Sequence, residues 1–350
     1  MRRLEKGHNQ MISVIVFMGA LLGTACALAA QSRYQPVSQD EKKEIPKITF
    51  KNLSPPYKEY QYFQGSQKYV YQFNATSFNL INAWWLAEAS TLVYADEDFV
   101  RSRFVEAGLP EVKFFEDQST QCYVANNDKF AIVAFRGSEI WKKRESFDLN
   151  RVIADLKTDI DIRLTDWPQG GKVHRGFKKG LDEVWLDLLP HISKLQGEGC
   201  RIWVTGHSLG AALATLFASR YGKVAGVYTF GSPRVGNADF KAHINVKIYR
   251  IVNNEDIVPW VPPPGLYVHV GELKFIDRNG IIRDTMDENE PPVNQPRDET
   301  YGRDPTDQLQ NNSSLGFVPA PFRDHVPLLY AIRLWNNIIE NRQQEPIFKK

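Results

Sequence analysis

Apolar runs alternate along the chain with polar, proline-bearing stretches, and the period of each run predicts an element. Asn79 to Tyr94 carries Leu80, Ile81, Trp84, Trp85, Leu86 and Val93 with alanines between them. Its apolar residues fall on more than one side of a 3.6-residue period, which predicts a well-buried helix. Gln121 to Ala125 and Phe130 to Phe135 read as strands, and the intervening Asn126-Asn127-Asp128 is a turn-forming cluster, so the pair predicts a hairpin. Gly176 to Leu195 places Phe177, Leu181, Val184, Trp185, Leu188, Leu189 and Ile192 at helical offsets, with Pro190 expected to kink or divide the helix. The short apolar run Ile202 to Val204 meets Gly206-His207-Ser208-Leu209-Gly210, and an alanine-rich helical pattern then runs to Gly222, a residue suited to a helix stop. Val224 to Phe230, Val246 to Val252 and Tyr267 to Ile276 read as further strands, and Val326 to Ile339 as a last helix. Strands alternating with helices predict an α/β chain with a mostly parallel central sheet covered by helices on both faces.

The polar stretches set the boundaries. Gln31 to about Tyr71 is interrupted by Pro36, Pro46, Pro55 and Pro56, and Asp277 to Ser314 by Pro291, Pro292, Pro296 and Pro305. The first reads as a linker and irregular lead-in, the second as a long surface excursion. With no internal repeat and no second hydrophobic core, one domain is expected over residues 57–342, after a polar linker at 31–56 and before a tail at 343–350. Ahead of it, basic Met1-Arg2-Arg3 and Lys6 precede an uncharged run from Met11 to Ala30 that ends in small residues. Residues 1–30 therefore read as a secretory signal cleaved near Ala29 or Ala30. The run is also about long enough to cross a bilayer, which keeps an uncleaved anchor as an alternative. Cys26 after Gly23-Thr24-Ala25 resembles a lipoprotein cleavage site but lacks the usual leucine three positions earlier. The expected location is accordingly secreted, periplasmic or envelope-bound.

Composition narrows the partners. The 350 residues hold 43 Lys plus Arg against 41 Asp plus Glu, so no single-sign field points to nucleic acid. Without Cys26, only Cys122 and Cys200 remain, enough for one disulfide, and whether they pair is left open. No metal-ligand spacing such as H-E-x-x-H occurs, and neither metal nor cofactor is predicted.

The candidate chemistry starts at Ser208. A G-x-S-x-G pattern between a strand and a helix is a nucleophile elbow, in which the glycines let the backbone turn sharply and lift the serine hydroxyl above the sheet edge. The plain alternative is a glycine-rich strand-to-helix turn. The Leu209 N–H opens the new helix, where unpaired N–H groups and the helix dipole favour negative charge. A serine hydroxyl is a weak nucleophile and needs a histidine base, itself oriented by a carboxylate. On sheets of this kind the order along the chain is serine, acid, histidine. Asp256, in the loop after the strand ending at Val252, is the best acid, with Glu255 as runner-up and an ordinary loop carboxylate as the plain reading. Asp239 reads as part of a surface helix. His325, between the polar excursion and the last helix, is preferred as base over His269, which lies inside an apparent strand. His207 lies within the elbow and is expected to shape it. A second oxyanion donor is expected from a loop after an earlier strand, and Phe135-Arg136-Gly137-Ser138 offers the Ser138 N–H, although a simple strand-end turn explains the same residues.

Five separated stretches, Phe135-Arg136-Gly137-Ser138, Gly206-His207-Ser208-Leu209-Gly210, Gly231-Ser232-Pro233-Arg234-Val235-Gly236, Asn254-Glu255-Asp256-Ile257-Val258-Pro259 and Asp324-His325, together resemble the class 3, or fungal-type, lipase family, and in the same order. The resemblance covers roughly residues 76–342. It implies an α/β-hydrolase fold, ester hydrolysis on lipid-like substrates, Ser208, Asp256 and His325 as the triad, and Ser138 and Leu209 as oxyanion donors. It also implies a lid over Glu139 to about Val152; there Trp141, Phe147 and Leu149 read either as groups that cover the site and dock at a lipid surface, with Lys142, Lys143 and Arg144 near anionic head groups, or as a few apolar anchors of a solvated loop. Two departures stand out: the lid segment is longer and more charged than the short helical lids of fungal members, and Ala211 follows Gly210 where many members carry a second glycine. The function expected is that of a triacylglycerol lipase-like serine hydrolase. The alternatives are a phospholipase A1 or soluble-ester carboxylesterase and, from another class, a non-catalytic lipid-binding envelope protein.

Overall fold

The hairpin expected from Asn126-Asn127-Asp128 is the middle of a three-stranded antiparallel edge. β1 (Glu111–Asp117) pairs with β2 (Thr120–Asn126), and β2 with β3 (Phe130–Phe135). β4 (Leu164–Asp166) and β5 (Lys172–His174) form a separate two-stranded sheet. From β3 the main sheet continues in parallel through β6 (Arg201–His207), β7 (Gly226–Phe230), β8 (Ile248–Asn253) and β9 (Glu272–Ile276). β10 (Ile282–Arg283) closes it antiparallel, giving the order β1-β2-β3-β6-β7-β8-β9-β10. The computed structural model of the chain describes residues 41–49, 51–138, 163–286 and 318–344, with side chains to 341. All belong to one compact unit, Gln39–Lys350. The expected signal at 1–30, the expected lid at 139–152 and most of the polar excursion lie outside the described residues.

The helices cover both faces of this sheet, as the alternating pattern predicts. On one face lie α1 (Leu80–Leu92), α2 (Glu97–Glu106) and, from the far end of the chain, α7 (Pro327–Gln344). α1 is apolar all round because it is sandwiched between α7 and the strands. Its N-terminus is capped by the Asn79 side chain, which accepts from the Asn82 N–H at 3.0 Å. Trp84 and Trp335 meet at 5.1 Å between ring centroids, both fully buried, and each such side chain is worth roughly 1.5–3 kcal/mol of transfer free energy. On the other face α3 (Arg175–Gly197) and α4 (Leu209–Tyr221) pack Phe177, Leu181, Val184 and Leu188 against Leu213, Phe217 and the strands. Two shorter helices, α5 (Ala238–Ala242) and α6 (Ala320–Arg323), lie in the connections.

Several expectations change. α3 runs unbroken through Pro190. The carbonyl that a Pro190 N–H would have met belongs to Leu186, a residue on the solvent side of the helix at 79% exposure, where a missing intrahelical bond costs less than in the interior. The strand expected over Tyr267 to Ile276 is regular only from Glu272, because Val268 makes an isolated bridge to Gly236 instead. Residues 41–49 and 51–56, read as linker from their prolines, hold four buried residues, Lys43, Ile48, Leu53 and Pro55. Ile48 and Leu53 join Phe322, Val326, Leu329 and Ile332 in a small apolar cluster, and Lys43 is buried beside Glu88. Cys122 and Cys200 are both free and buried.

Candidate active site

β6 ends at His207 and α4 begins at Leu209, so Ser208 alone makes the turn between them. Its backbone sits at φ 58°, ψ −126°, a conformation that costs a non-glycine residue about 1–3 kcal/mol. The strain therefore falls on the serine and not on its glycines. Gly206 and Gly210 serve close approach: a Cβ on Gly206 would lie 2.2 Å from the Gly210 carbonyl oxygen, and one on Gly210 would lie 2.2 Å from that of Phe135. The Ser208 N–H donates to the Phe230 carbonyl at 3.0 Å, tying the turn to the neighbouring parallel strand.

His325 comes to this serine from 117 residues further along the chain, and its Nε2 is 3.0 Å from Ser208 Oγ. Its Nδ1 lies 2.9 Å from each carboxylate oxygen of Asp256. With Nδ1 carrying the proton, Nε2 is left to accept from the serine hydroxyl. Asp256 has no exposed surface, so its oxygens need fixed donors. Oδ1 accepts the Val258 N–H at 2.9 Å, and Oδ2 accepts the phenol of Tyr330. The Tyr330 hydroxyl in turn accepts the Asn253 N–H at 3.1 Å. The loops bearing the acid and the histidine are joined by Asp324, also fully buried. Its Oδ2 accepts from Asn254 Nδ2 at 2.7 Å and from the Glu255 N–H at 3.2 Å, while its carbonyl accepts from Asn253 Nδ2 at 2.8 Å.

A second chain runs through the elbow histidine. His207 Nε2 meets the His325 carbonyl at 2.8 Å and Nδ1 meets the Tyr94 hydroxyl at 3.1 Å. Nε2 must be the donor to a carbonyl, so Nδ1 is the acceptor and His207 is neutral. Burial first, and the facing His325 second, push its pKa well below the usual histidine value. The Tyr94 hydroxyl also takes the Gly137 N–H, so one phenol ties the loop after β3 to the elbow. Ser138 lines the same cavity as Ser208, and Leu209 is the first residue of α4.

Ser208, Asp256 and His325 are thus brought within hydrogen-bond reach, with Ser138 and Leu209 beside them. The other candidates lie elsewhere. Asp239 is in the first turn of α5, and the acid facing His325 is Asp256, not Glu255. His269 lies before β9, where burial, with Arg250 and Arg234 nearby, holds its pKa down at about 2. Tyr330 and Tyr94 carry no signal in the sequence, where each is one more aromatic in an apolar run. Among the described residues no group of three His, Cys, Asp or Glu side chains is placed to hold a metal.

A serine on a strained strand-to-helix turn, hydrogen-bonded in series to histidine and aspartate above a mostly parallel sheet, defines an α/β-hydrolase fold. Residues 132–266 match the model of the family "Lipase (class 3)". It is 40% identical over 121 residues to a secreted mono- and diacylglycerol lipase of Malassezia globosa, covering 31% of this chain and 40% of the relative. To a lipase of Rhizomucor miehei it is 32% identical over 190 residues, covering 48% of this chain and 50% of the relative. The chain thus spans about half or less of the length of these curated relatives. A solved Rhizomucor miehei triacylglyceride lipase matches with 26% identity and a TM-score of 0.46, over 59% of this chain and 83% of that one.

Proposed function

We propose that this protein is a serine hydrolase that cleaves carboxylic esters of lipids through an acyl-enzyme on Ser208. The observation that carries the reading is the unbroken series Ser208 Oγ, His325 Nε2 at 3.0 Å, and His325 Nδ1 to Asp256 at 2.9 Å. In this reading His325 takes the hydroxyl proton as Ser208 attacks the ester carbonyl, then returns it to the leaving alcohol. Asp256 keeps the imidazole in the required tautomer and stabilises its charged form. The backbone N–H groups of Ser138 and Leu209 hold the oxyanion, and losing one such donor costs roughly a hundred to a thousandfold in rate. Water, activated by the same histidine, releases the acid.

The lipid part of the reading is supported by the names of the matched relatives, which are mono- and diacylglycerol or triacylglycerol lipases. Secretion is supported by the signal-like residues 1–30 and by relatives named as secreted. The test has two arms. Ser208 should be labelled by a fluorophosphonate probe, with the adduct mapped by peptide mass spectrometry. A panel of triglycerides, diglycerides, phospholipids and short soluble esters should then show hydrolysis that Ser208→Ala abolishes. An unlabelled serine together with activity surviving in Ser208→Ala overturns the proposal.

A further inference from the structure

The cavity beside Ser208 is walled in part by residues from the segment read from sequence as a linker. Its lining comprises Tyr94, Ser138, His207, Ser208 and His325 together with an apolar side made by Leu53, Pro55, Val258, Phe322, Val326 and Pro327. Its volume is about 20 Å³, room for about one water molecule. Leu53 is 5% exposed and belongs to the same apolar cluster as Phe322 and Val326, so it stands behind and beside the histidine loop. The apolar side is the His325 side of Ser208: Val326 and Pro327 follow the histidine directly, and the Val258 N–H holds Asp256.

Leu53 and Pro55 are fixed in place. The preceding stretch is pinned to α7, where Trp335 Nε1 donates to the Glu41 carbonyl at 2.8 Å. Asn336 accepts the Lys43 N–H at 2.8 Å and donates to the Lys43 carbonyl at 2.9 Å. The Lys43 ammonium enters the interior beside Glu88 and Tyr60. After Leu53 the chain is closed by the Tyr57 hydroxyl, which donates to the Leu53 carbonyl at 3.1 Å.

We infer that Leu53 and Pro55 set the size of the alcohol part of the ester that Ser208 accepts. The inference rests on the hydrolase reading of Ser208. His325 Nε2 must deliver its proton to the departing alcohol oxygen, so the alcohol lies on the His325 side, where the apolar wall and its small cavity are. The acyl chain leaves the carbonyl in the other direction. A wall lining the same cavity as Ser208 admits slim alcohols and excludes bulky ones, and removing one to three carbons from it opens the site to larger groups. A pocket change of one methylene shifts discrimination by roughly ten to two hundredfold where packing is tight.

The experiment compares kcat/KM in two series, methyl against benzyl butyrate and p-nitrophenyl acetate against octanoate, for wild type, Leu53→Ala and Leu53→Phe. Ratios between substrates are independent of the amount of folded enzyme, so a purely structural effect does not move them. Leu53→Ala is expected to raise the benzyl-to-methyl ratio about fivefold or more and Leu53→Phe to lower it, with the octanoate-to-acetate ratio held within about twofold. If Leu53→Ala does not fold, Leu53→Val and Pro55→Ala remove less buried volume and should move the alcohol ratio in the same direction. An unchanged alcohol ratio in active enzyme, or an equal change in the acyl series, overturns this inference alone. Wild type that hydrolyses no ester in either series and whose Ser208 is not labelled by the fluorophosphonate probe overturns the hydrolase reading and the inference with it.

Discussion

The hydroxyl of Tyr330 donates to Asp256 Oδ2 while accepting the Asn253 N–H, so a single phenol joins the acid to the end of β8 from a position five residues beyond His325. Tyr330→Phe removes a hydrogen bond to a buried carboxylate, worth about 1.5–3 kcal/mol. Because that carboxylate orients the base, the loss is expected in kcat, by about tenfold or more, with KM little changed. Steady-state kinetics on a short soluble ester provide the check, and a kcat within twofold of wild type would contradict the role given to Tyr330.

Ser208 carries the backbone strain of the elbow, and two inactive variants should separate strain from chemistry. Ser208→Gly relieves a conformation costing about 1–3 kcal/mol, against roughly 0.5–1 kcal/mol of extra backbone entropy in the unfolded chain. The glycine variant is therefore expected to be about 1 kcal/mol more stable than Ser208→Ala. Urea unfolding of the two proteins side by side measures this. Equal midpoints would mean that the turn stores no strain at this residue.

His207 and His269 are both held neutral by burial, His269 down to a pKa of about 2. A histidine whose folded pKa lies below its unfolded value of about 6.5 contributes stability above that pH and loses it as the pH falls towards the folded value. Stability should therefore fall between pH 6.5 and pH 4, with His269 adding up to about 1.4 kcal/mol per pH unit to the slope and His207 acting in the same direction. His269→Leu should reduce that slope in urea melts at pH 7, 6, 5 and 4, and a slope unaltered by the substitution is the result that would sink this account.

Lys43 and Glu88 meet 3.5 Å apart in the interior, Glu88 with no exposed surface. The carboxylate also accepts from Tyr60 Oη at 2.7 Å and Trp84 Nε1 at 2.8 Å. Lys43→Met strips the cation from a buried carboxylate and should destabilise the protein by about 3–5 kcal/mol. Lys43→Met with Glu88→Leu removes both charges and should recover part of that loss. Thermal and urea unfolding of the singles and the double decide the matter, and additive losses would mean that the pair is not coupled.

The chain's own order made much of this protein legible. Helix α1 follows from apolar residues on several sides of a helical period, the β2–β3 hairpin from its turn cluster, and the elbow from two glycines around a serine between an apolar run and an alanine-rich helix. Asp256 and His325 are legible because each lies in a loop beside a periodic segment, downstream of Ser208. Period and turn chemistry are local signals, written within a few residues of one another, and chain order can be read without knowing any contact. β1 carries no such signal, since Glu-Val-Lys-Phe-Phe-Glu-Asp is the pattern of a charged sheet edge with few buried residues.

Only the tertiary structure decided what surrounds that serine. Tyr330 and Tyr94 look like ordinary members of apolar runs, yet they meet partners 74 and 113 residues away. Lys43, Leu53 and Pro55 lie in a polar, proline-bearing stretch that reads as a tether, and become buried because α7 returns from the far end of the chain to cover them. A hydrogen bond between distant residues leaves no periodicity behind. Whether a polar side chain is solvated, or buried and paired, depends on which segment folds over it.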